Sequence, residues 1–430
     1  MLSYLNIFLL LTTISLTTTV KAISVEATSN IGYFLHVSDI HYDPEYYPSG
    51  PDNCIFGTKV GTGCCRKDNI PIDPYNQSSK WGDFNCDVPS FLVQHIFNWT
   101  KYNIPKVDYI FYTGDSASHH VITQTVRQNL DSINTINNII NYNYPKTQLY
   151  QVVGNHDTYP IDQTVPILYP YILKNISNAW SKWLNTQSIT STQTGGYYSQ
   201  YITSNVKVIS INSIHYDSDN IFQIKSDEED VRSGYQWNWI ENELKMSRAN
   251  GDKVLIINHI PPGSGEANDY YVHKLINVTD RYRDMIFLQL YGHTHEDLFR
   301  LFYNSTKKEF VGYGMIPGSM MTSDHDPCFR VFVYDKTTWN ILDYHQYSCS
   351  LSQTIKNNRI ECRNTYNFTS EYGLEGNTIN LDTMVKLYHA LNSTNAIQKY
   401  HHHYRPGSNN NNCDDQCKQN YLEEIVFTID

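Results

Sequence analysis

The sequence is poor in charged residues and has no excess of positive charge. Only 17% of its 430 residues are Asp, Glu, Lys or Arg, and 43 acidic against 32 basic side chains give a net charge of −11. Proteins that bind the nucleic-acid backbone need a basic surface, so nucleic acid is excluded as a main partner. The 40% of hydrophobic and 13% of aromatic residues are typical of a globular chain, not of a disordered one.

Long apolar runs are also missing beyond the N-terminus, which predicts that the chain has no transmembrane segment. The first stretch, MLSYLNIFLLLTTISLTTTVKA (residues 1–22), is a short apolar run ending in small residues, as in a secretory signal peptide. We therefore expect an exported, monomeric protein that is extracellular or lysosomal. Seven N-x-S/T sequons agree with this route, and a subset is expected to be glycosylated: Asn76, Asn98, Asn175, Asn277, Asn304, Asn367 and Asn392.

The cysteine count is odd. In an exported chain, nine cysteines imply disulfides and one leftover thiol. Six of them form an early cluster and a late pair, namely Cys54, Cys64, Cys65 and Cys86, then Cys413 and Cys417. Cys349 and Cys362 could close a short loop, which would leave Cys328 as the candidate free thiol. The sequence leaves the connectivity open.

Short runs of β-branched and aromatic residues predict strands that are buried on both faces. They are Tyr33–Ser38, Val107–Thr113, Gln148–Val153, Val206–Asn212, Lys253–Asn258 and Met285–Leu290. Helical patterns precede the second, third and fifth runs, and this alternation predicts a layered α/β domain. Further strand-like runs reach about Tyr347. The rest is predicted to be helical and polar, with an exposed loop at His401–Asn412.

Five of these strands are followed by side chains that can bind a metal ion. In chain order they are Asp39 and His41, then Asp115 and His119, then Asn155 and His156, then His259, and finally His293 and His295. In α/β sheets, ligands bind where the carboxyl ends of the strands meet, so the sequence predicts one shared site.

Seven of these side chains form a sensible set for two metal ions, in which Asp115 could bridge both. The two groups are Asp39, His41 and His295 for one ion, and Asn155, His259 and His293 for the other. Nitrogen and oxygen ligands without thiolate suit zinc, and also manganese or iron. The glycines that precede Asp115, Asn155 and His293 suit tight turns at strand ends.

The motifs D-x-H, G-D, G-N-H-D, a later His and G-H-x-H, in this order, resemble the calcineurin-like metallophosphoesterase superfamily. Local detail narrows the resemblance: GDSASHH, GDKVLIINHIPPG and the cysteine cluster CIFGTKVGTGCC look like the acid sphingomyelinases and acid sphingomyelinase-like phosphodiesterases. The resemblance implies a β-sandwich flanked by helices at residues 23–347. A small, mostly helical and disulfide-containing region would follow at 348–430, and the tail pair Cys413 and Cys417 fits it.

The resemblance also implies an activity and its residues. It implies a zinc-dependent phosphodiesterase that activates water with two metal ions, with His119 and His156 as catalytic histidines. Asp157 would orient His156 or a ligand histidine. Ser118 stands where purple acid phosphatases carry a metal-binding tyrosine, which favours zinc over an iron–tyrosinate site. We expect no part in the site for His120, His215 and His401–His403, which are interpreted as polar loop residues, although His215 could reach the pocket.

The substrate stays open between a sphingomyelin type and a nucleotide type. Acid sphingomyelinases proper carry a saposin-like domain ahead of the catalytic domain, and Ile23–Asn30 are too few for one, so attack on membrane sphingomyelin is expected to be less efficient. A phosphomonoesterase would share the same metal site. A non-catalytic binding protein is disfavoured because no ligand is missing. Asp326-Pro327-Cys328 departs from the Asn-Pro-small pattern of relatives, which leaves the pairing of Cys328 open.

Overall fold

The α/β architecture predicted from the sequence is confirmed in a computed structural model, which describes residues 30–55, 63–73, 75–120, 124–263, 265, 267–408 and 412–429. The predicted signal peptide (1–22) lies outside these residues. The strands are β1 (Ile31–Val37), β2 (Tyr109–Tyr112), β3 (Gln148–Gln151), β4 (Tyr198–Thr203), β5 (Val206–Ser210), β6 (Lys253–Ile257), β7 (Ile286–Leu290), β8 (Leu298–Asn304), β9 (Glu309–Ile316), β10 (Cys328–Asp335), β11 (Ile341–Cys349), β12 (Cys362–Asn367) and β13 (Val426–Ile429).

Helices lie between and around these strands. They are α1 (Ser90–Asn103), α2 (Val126–Asn143), α3 (Tyr169–Trp180), α4 (Thr186–Gly195), α5 (Gln236–Asn250), α6 (Asp269–Tyr282), α7 (Leu351–Asn357), α8 (Phe368–Glu371), α9 (Leu381–Ala390), α10 (Thr394–Tyr404) and α11 (Asp415–Ile425). Helix α2 begins at Val126 because the side chain of Thr125 accepts a hydrogen bond from the Gln128 N–H and caps the helix. No helix of the described residues is long and apolar enough to cross a membrane.

The strands form two sheets. The order is β12-β11-β10-β1-β2-β3 in the first and β13-β8-β9-β7-β6-β5-β4 in the second. The neighbours β1, β2 and β3 run parallel, as do β5, β6 and β7. Parallel strands point their carboxyl ends the same way, which is the arrangement that can bring their terminal loops together.

Both faces of the first sheet are buried, as its nearly continuous apolar strands predict. Phe34 and Phe111 belong to the large core that also contains side chains of the second sheet, such as Ile256. Their chain neighbours Leu35 and Ile110 belong to a second core, which includes residues of α1 and α2. Successive side chains of a strand point to opposite faces, so each run must be apolar throughout.

The C-terminal region is largely helical, as predicted, and it also adds one strand to each sheet. Strand β12 pairs with β11 and β13 pairs with β8. The boundary between 347 and 348 stays a prediction. The prediction of an exposed loop at His401–Asn412 is wrong at its start, because His401–Tyr404 form the last turn of α10. There His403 is 9% exposed, and its Nε2 lies 3.1 Å from the Glu371 carboxylate.

Four disulfides are present, and they join the candidate cysteines in sequence order: Cys54–Cys64, Cys65–Cys86, Cys349–Cys362 and Cys413–Cys417. Cys328 is the free cysteine and is buried. Among the sequons, Asn304 is only 6% exposed, and its side-chain amide donates to Asp280 at 3.1 Å. A glycan on this side chain would break that contact. Which sequons are used stays a prediction.

Candidate metal centre

Strand ends from both sheets meet at one end of the sandwich. The His259 Nδ1, which follows β6, lies 2.6 Å from the Thr113 carbonyl that follows β2. The Thr113 hydroxyl donates to the Tyr291 carbonyl, at the end of β7, at 3.1 Å. These contacts hold the loops of the first sheet against those of the second, and the seven predicted ligand side chains lie between them.

The first predicted group of ligands is brought together by the fold. Asp39, His41, Asp115 and His295 offer ligand atoms that all lie within 4.8 Å of one another. The Nε2 atoms of His41 and His295 are 3.0 Å apart, and the His41 Nε2 is 3.5 Å from Asp115 Oδ2. This spacing is that of side chains that surround one small ion.

The second group is brought together beside the first. Asp115, His259 and His293 form another cluster within 4.8 Å, with His259 Nε2 3.2 Å from Asp115 Oδ2. The amide oxygen of Asn155 lies 2.7 Å from His259 Nε2 and 3.1 Å from His293 Nδ1. A single oxygen atom, Asp115 Oδ2, therefore faces both groups. The other oxygen, Oδ1, accepts a hydrogen bond from the His156 N–H at 2.9 Å.

The donor atoms suit cations. His41 Nδ1 lies 3.0 Å from the Ala117 carbonyl and His259 Nδ1 lies 2.6 Å from that of Thr113. A carbonyl only accepts, so each Nδ1 carries a proton, and each Nε2 is left facing the centre, where a metal ion would take its lone pair. Asp39 Oδ2 is buried without a hydrogen-bond partner. Burial raises the pKa of Asp39 to about 7, which a bound cation would oppose.

The backbone of the ligand loops is strained. Left-handed φ angles occur at Asp39 (51°), His41 (49°), Asp115 (61°), His293 (74°) and His295 (68°). This conformation costs an L-residue roughly 1–2 kcal/mol. Such strain persists where the surrounding structure enforces it, and it clusters at functional sites.

Only one of the three predicted turn glycines has a positive φ. Gly114 has a φ of +96°, whereas no positive φ occurs at Gly154 or Gly292. Those two are required for another reason, since a Cβ at Gly154 would lie 2.0 Å from Asp115 Oδ1 and one at Gly292 would lie 2.1 Å from the Ser38 hydroxyl. Both glycines nevertheless begin tight turns, as predicted, because the Gly154 carbonyl accepts from the Asp157 N–H at 3.2 Å and the Gly292 carbonyl accepts from the Thr294 N–H at 2.9 Å.

His119 lies against the first ligand group. Its ring stacks on that of His41 with centroids 3.7 Å apart. Asp87 holds it with both carboxylate oxygens, which accept from the His119 backbone N–H at 2.7 Å and pair with Nδ1 at 2.8 Å. Burial lowers the pKa of His119, but the Asp87 charge and hydrogen bond outweigh this and raise it overall. The imidazolium form is thus favoured, with Nε2 left for a reacting group.

His156 lies next to His119 in a different electrostatic setting. The two rings meet edge to face with centroids 4.5 Å apart. The His156 Nδ1 lies 3.3 Å from the Ser118 carbonyl, and burial lowers the pKa of this imidazole to about 4, although the Asp115 charge acts in the opposite direction. The site therefore holds one imidazole that favours its charged form and one that favours its neutral form.

The prediction that Asp157 orients His156 or a ligand histidine is wrong. Its carboxylate accepts from three backbone N–H groups, those of Asp115 at 3.1 Å, Ser116 at 2.8 Å and Gly154 at 2.9 Å. Asp157 thereby ties the loop after β2 to the loop after β3, and it holds Asp115 and Asn155 in a common frame.

Sequence reasoning missed two carboxylates at this site. Asp87 gives no local signal, because it lies 32 residues from His119 in a loop without a motif. Asp162 lies seven residues after Asn155, and its Oδ1 accepts a hydrogen bond from the Asn155 Nδ2 at 2.8 Å. That bond turns the amide oxygen of Asn155 towards His259 and His293. The short separation from Asn155 was the only available clue.

Asp162→Ala is expected to weaken metal binding at the group that contains Asn155, because the amide would lose the partner that orients it. Loss of a residue that orients a ligand typically costs about 10–100-fold in metal affinity. Metal titration of the purified variant measures this directly. Asp219→Ala, at an exposed position of a neighbouring loop, serves as the control. An unchanged affinity in Asp162→Ala would contradict the assignment.

The remaining histidines lie outside the ligand cluster. His120 Nδ1 lies 2.7 Å from the Arg66 guanidinium, in keeping with a polar loop role. His215 does not reach the centre. It is 2% exposed, its Nε2 lies 3.2 Å from the Gly195 carbonyl, and it lines a separate cavity of about 230 Å³.

Comparison with known proteins gives two family matches. The profile of the calcineurin-like phosphoesterases matches residues 32–297, and that of the acid sphingomyelin phosphodiesterase C-terminal region matches residues 305–428. Sphingomyelin phosphodiesterases A and B of Dictyostelium discoideum are each 28% identical, over 93% and 87% of this chain. The chain spans 67% and 59% of their lengths. A cyclic GMP-AMP phosphodiesterase of Homo sapiens is 28% identical over 90% of this chain and 86% of its own.

Proposed function

Because this chain belongs to the calcineurin-like phosphoesterase family and is a hydrolase of phosphoric ester bonds, we propose that it is an exported, zinc-dependent phosphodiesterase of the acid sphingomyelinase type. The observation that carries this proposal is the pair of ligand groups sharing Asp115 Oδ2, with two imidazoles beside them. Four disulfides support export, since such bonds persist in oxidising compartments.

The proposed ligands would hold two zinc ions, which would supply an activated water and neutralise charge on the phosphate. The first ion would be held by Asp39, His41 and His295, and the second by Asn155, His259 and His293, with Asp115 shared between them. The choice of zinc rests on the all-nitrogen and oxygen donor set. Asp157 and Asp162 keep these ligands in place through the backbone and through the Asn155 amide.

The two further histidines, His119 and His156, act on the proton and the charge of the leaving group. His119, kept as an imidazolium by Asp87, donates from Nε2 to the departing alkoxide oxygen. His156, which remains neutral with its Nδ1–H directed at the Ser118 carbonyl, presents the Nε2 lone pair to the site as a proton or hydrogen-bond acceptor, and its backbone N–H donates to Asp115. No protein nucleophile is required, because water attacks phosphorus directly.

The substrate is proposed to be a diester of the sphingomyelin or nucleotide type. Both classes are represented in the names of the relatives, which include sphingomyelin phosphodiesterases and a cyclic GMP-AMP phosphodiesterase. A phosphomonoesterase on the same site is the alternative. Purification with metal analysis, followed by a comparison of bis- and mono-nitrophenyl phosphate, separates the two.

We expect two zinc ions per chain and faster hydrolysis of the diester. Faster hydrolysis of the monoester would favour the alternative, and a fully loaded protein without activity would indicate a binding protein. Sphingomyelin with and without detergent, nucleoside di- and triphosphates and choline diesters then define the substrate class.

If each ligand group holds its own ion, a substitution in one group should release one ion and leave the other bound. His295→Ala is expected to weaken the ion held with Asp39 and His41, whereas His293→Ala weakens the ion held with Asn155 and His259. Each variant should retain about one ion per chain after dialysis, because three protein ligands are enough to keep a zinc ion. Loss of both ions from either variant would show that the histidines act on one shared ion.

A further inference from the structure

Three exposed isoleucines lie on one face of a short two-stranded ribbon. The Ile55 N–H donates to the Ile70 carbonyl and the Ile72 N–H donates to the Asn53 carbonyl, both at 3.1 Å. In such a pairing, opposite residues and alternate residues share a face, so Ile55, Ile70 and Ile72 point the same way. They are 55%, 57% and 60% exposed, whereas Cys54, between them on the opposite face, is 4% exposed. We call these three side chains the isoleucine ribbon.

The segment that carries the ribbon is joined to the loops around the proposed catalytic residue His119. Gly63 packs so closely on the His120 ring that a Cβ there would lie 2.1 Å from its Cδ2, and Arg66 lies 2.7 Å from the other side of that ring. The disulfide Cys65–Cys86 then joins this segment to the residue that precedes Asp87, the partner of His119. A disulfide and one intervening residue thus connect this segment to Asp87 and, through it, to His119.

We propose that the isoleucine ribbon docks on the surface of a zwitterionic lipid bilayer and presents the metal centre to lipid head groups. This deepens the proposed function, on which it rests for the nature of the substrate. Three clustered aliphatic side chains at an otherwise polar surface are better accommodated at a lipid interface than in water. Tyr75, three residues beyond Ile72, is 92% exposed, and tyrosine is favoured where an apolar surface meets water.

Charge selects the kind of membrane. Lys67 and Asp68 are both exposed in the turn before Ile70, and the carboxylates of Asp52 and Asp73 flank the other end of the isoleucine ribbon, so its surroundings carry more negative than positive charge. The whole chain carries a net charge of −11, which is repelled by anionic lipids. A phosphocholine surface avoids this repulsion. It also carries the head group of a sphingomyelin-type substrate, which cannot leave the bilayer on its own.

The test is flotation of the full-length protein with vesicles of phosphatidylcholine, which measures binding without turnover. Ile70→Ser/Ile72→Ser is expected to lower the partition coefficient about tenfold, because two apolar side chains no longer enter the interface. Ile167→Ser/Ile221→Ser is the matched control, since these isoleucines are 91% and 80% exposed elsewhere on the surface. Ile72→Ser alone replaces the double variant if the latter does not fold.

A second measurement compares substrates. Ile70→Ser/Ile72→Ser should lose activity on sphingomyelin in vesicles by about the same factor as it loses vesicle binding. It should keep its rate on bis-nitrophenyl phosphate. No binding by the wild type, or equal loss in the control, would overturn the proposal. A wild-type dimer that the ribbon variant dissociates would show that a second copy covers this surface. Failure of the proposed function would appear separately, as normal vesicle binding without hydrolysis of any diester.

Discussion

His119→Ala is expected to lower kcat by about 10²–10⁴-fold while the chain keeps both metal ions. The ring lies outside the seven-ligand set, but it stacks on the proposed ligand His41, and the Asp87 carboxylate raises its pKa. Removing it takes away the proton for the departing alkoxide without removing a ligand. His156→Ala should also lower kcat severely, because it removes the imidazole that packs edge to face on His119 beside the proposed ligands.

Metal analysis and steady-state kinetics on the same preparations check this prediction. His389→Ala is the matched control, since His389 is exposed on α9. A substrate with a better leaving group, such as bis-nitrophenyl phosphate, should be affected less by His119→Ala than a diester with an alkoxide leaving group. Full activity in either variant would remove that histidine from the mechanism, and a parallel loss of metal would give it a ligand role instead.

Asp115→Ala is expected to abolish activity and to remove both ions, a larger loss than the roughly 10²–10⁴-fold effect of a single proton-transfer group. One of its oxygens faces both ligand groups, at 3.5 Å from His41 Nε2 and 3.2 Å from His259 Nε2. Its other oxygen accepts the His156 N–H. No other side chain of the set touches both groups in this way.

The measurement is the zinc content after dialysis, together with the thermal midpoint of unfolding in the presence and absence of added zinc. Wild-type protein should be stabilised by zinc through ligand binding to the folded state, and Asp115→Ala should not. Asp131→Ala, on the exposed side of α2, controls for loss of a carboxylate. A variant that still binds two ions would show that Asp115 is not shared.

The strands and the order of the candidate ligands could be predicted because both are local properties of the chain. The strand β1 is read from an apolar run, and Asp39 and His41 follow directly after it. The same holds for Asp115 after β2 and for His293 and His295 after β7. Parallel strands expose such residues at one edge, so chain order alone was enough to propose a common site.

Contacts that join distant segments could not be predicted in the same way. Asp87 comes next to His119 because the segment that contains Cys86 packs across the loop after β2. Asp157 carries an acidic side chain beside His156 in the sequence, yet its carboxylate turns to three backbone N–H groups of neighbouring loops. The neighbour of an acidic residue in the sequence suggests a hydrogen-bond partner for its carboxylate. In the folded chain, the carboxylate binds the nearest N–H groups that have no other acceptor.

By itself, the sequence determined the layered α/β class, the apolar strands and the set of residues able to bind metal, since these depend on composition and on local order. Only the tertiary structure decided that two sheets, joined by contacts such as that between Thr113 and Tyr291, supply one centre. It also decided that one oxygen of Asp115 faces both groups, and that the segment after the isoleucine ribbon is tied by a disulfide to the residue that precedes Asp87. The physical reason is that these arrangements arise from packing between segments far apart in the chain, which no local pattern encodes.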